Sequence, residues 1–157
     1  MLIQFQDYLT FENIYLWTNF GILPFWLMII VIPNSKVTNF FVNSIIIPLF
    51  LSCAYVYVIY QIILLGDSII DIFLLYLSLD NLYTVFATES FLLLFWLHFI
   101  AFNLFIGSWV SKDGIKYNIS RSIILVPLIL IYFTGPVGLA LYWMIRIFYA
   151  KRLGFHD

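Results

Sequence analysis

Charged side chains are scarce in this sequence: Asp, Glu, Lys and Arg make up 10% of its 157 residues, where an ordinary soluble domain carries about 25%. So few charges cannot coat a water-facing surface, which argues against a soluble globular domain. Net charge is −1, which removes the electrostatic basis for nucleic-acid binding. Cysteine is almost missing too. The one present, Cys53, can form neither an internal disulfide nor a thiolate cluster, and reads as a small buried apolar residue. No Lys or Arg precedes Lys36. The amino end therefore lacks the positive region of a cleavable signal, and the first apolar run reads as a permanent span. Common soluble-enzyme signatures are missing as well: no phosphate loop, GxGxxG, CxxC or HExxH. His98 and His156 stand too far apart to suggest a di-histidine site, and no metal is expected.

What is present is apolar. Hydrophobic residues make up 64% of the chain and aromatics 21%, with 17 Phe and 11 Tyr. That suits a bilayer, and it also suits the packing of a flat apolar ligand. Four long apolar runs stand out, at 14–33, 40–65, 89–111 and 123–145. About twenty residues at 1.5 Å each cross a ~30 Å hydrocarbon core. The expectation is an all-α, multi-pass integral membrane bundle, one domain over 1–157, with about four spans and membrane lipid as its solvent. Pro24 should kink the first run and Pro33 end it, Pro48 lies inside the second, and Pro127 and the Gly135-Pro136 pair should kink the fourth. The segment 67–88 carries Asp67, Asp71 and Asp80. It reads either as a further span or as an interfacial or re-entrant helix. The second reading is favoured, because Asp80 at mid-bilayer would cost about 2.5–3.5 kcal/mol. The polar stretch 111–122, with Lys112, Asp113, Lys116 and Arg121, reads as a loop.

Polar residues inside apolar runs need partners, so each is a functional candidate. At 100° per residue, Glu89, Trp96, Asn103 and Gly107 share one narrow stripe of the third run. His98 lies on another face with Phe91, Phe102, Phe105 and Trp109. Asn103 and His98 could line a ligand site, or only hydrogen-bond a neighbouring helix. On the last run, Gly135, Gly138, Tyr142, Arg146 and Tyr149 cluster on one side. The glycines would let a helix or a ligand approach the backbone. Arg146 could contribute to that face, and the favoured reading is that it snorkels to the interface.

Three blocks together resemble a known family: PFWLMIIVIP (24–33), WLHFIAFNLFIGSWVSKDGIKYNIS (96–120) and TGPVGLALY (134–142). Their order and spacing are similar to those of the ABA4-like family, small four-span membrane proteins. Its plant members are associated with neoxanthin synthesis, an isomerisation of the carotenoid violaxanthin. The family pattern falls on Pro24, Trp26, Pro33, Trp96, His98, Leu104, Phe105, Asp113, Gly114, Gly135, Pro136 and Gly138. Two positions depart from it. Asn103 stands where the family usually has an aspartate, and Ser108 where many members have an arginine.

The resemblance implies a carotenoid or related isoprenoid ligand and acid/base isomerisation without a redox cofactor. One group would protonate an epoxide oxygen, and another would take a proton from a polyene carbon. On that reading His98, whose unperturbed pKa near 6.5 allows either role, would be catalytic with Asp113 or Glu89 as partner. Trp26, Trp96, Asn103, Gly107, Gly135, Gly138, Tyr142 and Arg146 would bind substrate. Asp113 has a second reading as the first residue of an Asp-Gly turn. Two functions stay open: an isoprenoid isomerase, or a non-catalytic pigment-binding or assembly subunit with a membrane-protein or self-association partner. A transporter would need more ionisable groups along a path than Glu89, His98 and Arg146 supply.

Overall fold

The computed structural model describes residues 8–44, 46–65 and 71–151. Asp67 and His156 lie outside the described residues. Among those described, helix is the only regular structure. The helices are α1 (Phe11–Val31), α2 (Lys36–Phe41), α3 (Ile46–Leu64), α4 (Asp71–Leu74), α5 (Leu79–Phe86), α6 (Glu89–Lys116), α7 (Arg121–Thr134) and α8 (Pro136–Ala150). Three stretches are long and apolar enough to cross a membrane: Phe11–Val31, Lys36–Leu64, which contains α2 and α3, and Glu89–Lys116. Their outward surfaces are apolar, with Phe20 67% and Phe105 66% exposed. Water would penalise such surfaces and hydrocarbon does not, so the fold fits a membrane protein.

The chain divides into two compact units. One comprises Met1–Gly21 and Leu49–Phe99, the other Ile22–Pro48 and Ile100–Asp157.

In the first unit, Thr18 donates to the Ile14 carbonyl at 2.7 Å, so a buried hydroxyl is satisfied within its own helix. Tyr57 on α3 donates to the Leu9 carbonyl, and Gln61 donates to the Tyr57 hydroxyl at 2.7 Å. Residues 71–88 hold only α4 and α5, of four and eight residues. Eight residues rise about 12 Å, too little to cross a bilayer. Ser78 caps α5 by accepting from the Asn81 N–H, and Asp80 sits in the first turn, where the helix dipole favours an acid. Cys53 is exposed, which corrects its reading as a buried residue. Leu51, Val58 and Ile62 are the inward residues of α3 in this unit, and in lipid a small apolar side chain rests equally well on the outer face.

In the second unit, which takes up the chain at Ile22 within α1, that helix ends at Val31, just before Pro33. Ser35 caps α2, and the buried Thr38 hydroxyl donates to the Ile32 carbonyl at 2.8 Å. Pro48 falls in the first turn of α3, where no N–H is needed. Two expectations need correction here. First, the stretch 111–122 is not a loop throughout. Helix α6 runs on to Lys116, so Asp113-Gly114 is helical and not a turn. The reversal comes later, at Asn118, whose φ of 53° lies in the left-handed region that Asn tolerates.

Second, 123–145 is not one kinked span. Gly135 takes φ 60° and ψ −87° and stands between α7 and α8, with Pro136 opening α8. A Cβ on Gly138 would lie 2.6 Å from the Pro127 carbonyl oxygen. In one continuous helix those residues would be about 16 Å apart. The two helices therefore fold back on each other as an antiparallel hairpin. At 14 and 15 residues, each arm is about 21–22 Å long, short of a ~30 Å core.

Candidate functional site

In the second unit the hairpin lies along α6. Gly114 takes the Ile124 side chain, and Gly135 faces Asn103, so α7 runs antiparallel to α6. Arm α8 then returns parallel to it, bringing Tyr142 to Trp109 and Arg146 to Asp113. The Arg146 Nε donates to Asp113 Oδ2 at 2.6 Å, and the Tyr142 hydroxyl donates to the same oxygen at 2.7 Å. An Arg146 terminal nitrogen donates to the Tyr117 hydroxyl at 3.2 Å. The guanidinium also lies 4.9 Å from the ring centroids of Tyr117 and Trp143, a cation–π arrangement. Arg146 and Tyr142 are 0% exposed and Asp113 is 7% exposed. Arg146 therefore does not snorkel. Its stem does not reach an interface because α8 packs it inward against α6. A buried pair of this kind is tolerable only with its hydrogen bonds made, and these donors make them.

The other sequence candidates in this unit are packing seats. A Cβ on Gly107 would lie 2.6 Å from the Trp26 ring, so the space beside that glycine is filled by indole. Trp26 also meets the Tyr132 ring edge-on at 5.4 Å. Gly138 is filled by the backbone of α7. Asn103 is buried, with its Oδ1 2.6 Å from the place of a Gly135 Cβ. Its Nδ2 has no hydrogen-bond partner among the described residues. Ser108 donates to Asn43.

In the first unit, Glu89 and Trp96 lie together. Two adjoining cavities of about 610 Å³ each share Phe11, Glu12 and Glu89. One continues past Tyr57 and Gln61, the other past Tyr15, Leu92, Leu93 and Trp96. Both glutamates stand in the first turn of their helices. The Trp96 Nε1 donates to Asn19 Oδ1 at 3.0 Å, which fixes the indole as a flat wall. His98 does not line either cavity. It is exposed, its ring 6.5 Å from that of Tyr55, and nine residues from Glu89 puts it half a turn away on α6. Among the described residues no group of three His, Cys, Asp or Glu could hold a metal.

The profile of the family described as ABA DEFICIENT 4-like matches residues 13–142. The chain belongs to the ABA4-like family. Comparison with curated proteins and with solved structures gives no match. In this ABA4-like chain, several motif residues turn out to build the hairpin: Asp113 ties it to α6, Gly114 and Gly138 seat its arms, and Gly135-Pro136 turns it. Sequence reasoning missed Glu12 and Tyr117. Spacing on α6 could not find Glu12, which comes from another helix. The Gly-then-Pro order at 135–136 carried a readable signal, since it marks one helix ending and another starting.

Proposed function

We propose that this ABA4-like protein isomerises a carotenoid or related isoprenoid in the membrane by acid/base chemistry, without a redox cofactor. The observation that carries the reading is the first unit's groove, which joins two carboxylates to a flat aromatic wall. The aromatic end suits a polyene or its end ring. At the carboxylate end, one glutamic acid donates a proton to an epoxide oxygen as the ring C–O bond opens. The other carboxylate removes a proton from the neighbouring polyene carbon. One proton is added and one removed, so substrate and product have the same formula. Glu89 and Glu12 fill these roles. Asp113 and Arg146 act on the hairpin and not on the substrate.

A second reading, a pigment-binding or assembly subunit without turnover, is favoured by one observation. Asp113, a motif carboxylate of the family, is occupied by Arg146 and Tyr142. Pigment analysis of cells expressing the chain beside a carotenoid pathway decides between them. A new isomer that disappears in Glu89→Gln and persists in His98→Ala supports the groove. Disappearance in His98→Ala alone moves the chemistry to the opposite face of α6. Pigment bound to purified protein with no new isomer establishes the second reading.

A further inference from the structure

The second unit contains a cleft unrelated to this chemistry. It has a volume of about 190 Å³ and lies between the end of α1, the end of α6 and the start of α7. Its walls are aliphatic, with Ile29, Ile115, Ile119 and Leu128 among them, and Arg121 and Ser122 are its polar residues on α7. Ser111, the remaining polar residue in the wall, donates to the Ile29 carbonyl at 3.4 Å. Among the described residues no acidic one lines the cleft. Lys112, Lys116 and Arg121 crowd the stretch 112–121, and its one acid, Asp113, is held by Arg146. The local field is therefore positive. Helix α7 is 14 residues long, and Ser120 makes no side-chain cap; the Ile123 and Ile124 N–H groups bond the Ser120 carbonyl, so the Arg121 and Ser122 N–H groups ahead of them are the donors left at the same end. The cleft is smaller than the roughly 300–1,000 Å³ that takes a whole ligand. It suits one stretch of hydrocarbon chain and not a carotenoid end ring.

We propose that this cleft is a binding site for an anionic amphiphile carrying a phosphate ester, with the phosphate at Arg121 and one apolar chain lying between α1, α6 and α7. Arg recognises phosphate through charge-assisted and bidentate hydrogen bonds, and basic pockets beside apolar helices are suited to lipid head groups. A membrane phospholipid and a single-chain prenyl phosphate share this chemistry.

The test uses the full chain, purified and delipidated, titrated with phosphatidylglycerol or phosphatidylcholine of equal chain length. Phosphatidylglycerol should bind about tenfold tighter, and Arg121→Gln should remove that preference. Leu125→Trp, which places an indole in the cleft, should weaken both lipids while the melting temperature is kept. Lys151→Gln removes the same charge elsewhere in the unit and should change nothing. Farnesyl phosphate competing better than phosphatidylglycerol would identify the single-chain source, and the reverse the phospholipid. Unchanged preference in Arg121→Gln, equal loss in Lys151→Gln, or equal competition by inorganic phosphate would overturn the site.

Discussion

The two units solve the same problem, polar groups in an apolar chain, in opposite ways. The second unit pairs its charged cluster internally and leaves Asn103 Nδ2 as a buried exception. Its Asp113, Arg146 and Tyr142 bond to one another in the interior, with the half-buried Tyr117 at the edge, and Gly107, Gly114, Gly135 and Gly138 are met by neighbouring protein atoms. The first unit leaves polar groups open, with Glu12 and Glu89 lining a groove. A closed network rigidifies, because each member's removal strands the others. An open pair of carboxylates is available to a ligand. Strength of interaction and availability for chemistry have thus been separated along one chain.

The largest way to break this contrast is to strand a charge. Asp113→Ala leaves a buried guanidinium unpaired and should cost about 3–5 kcal/mol. Thermal unfolding in detergent should show a sharply lowered midpoint, and a wild-type midpoint would mean that the pair is not buried in solution. Next in size, Glu89→Gln should lower isomer formation by about 10²-fold or more with the unfolding midpoint unchanged. If stability falls with activity, the groove is structural and the contrast fails.

Glycine gives a sharper comparison, since one substitution should have opposite signs in the two units. Gly138→Ala puts a methyl group into the backbone of α7 and should destabilise by about 1–3 kcal/mol. Gly21→Ala meets no atom within 4 Å and should stabilise α1 by about 0.5–1 kcal/mol. Unfolding midpoints of the pair, measured side by side, check both signs. The smallest effect should come from His98→Ala, an exposed position, within about 0.5 kcal/mol in stability. A larger loss there would show that the His98 side chain is a packing residue of α6.

Much of α6 is legible in the sequence. The stripe of Glu89, Trp96, Asn103 and Gly107 does face protein or cavity, because helical periodicity depends only on the sequence; of the other face, His98, Phe102 and Phe105 are exposed, whereas Phe91 is buried and Trp109 packs against Tyr142. The fate of each polar residue on that stripe was not legible. Asn103 and Glu89 look alike on a helical wheel, yet one is sealed against Gly135 and the other lines a groove. That difference is made by residues far away in the chain.

Composition and run length by themselves determined that the protein is helical and suited to hydrocarbon, since charge content and a 3.6-residue repeat are local properties. Family membership was readable from motif order. Only the tertiary structure decided that residues 121–150 turn back as a hairpin, that Arg146 is a buried partner of Asp113, and that Glu12 joins Glu89. Each depends on which helices meet. Apolar runs predict that packing will happen, but steric fit at a few glycines and the pairing of a few charges choose the arrangement.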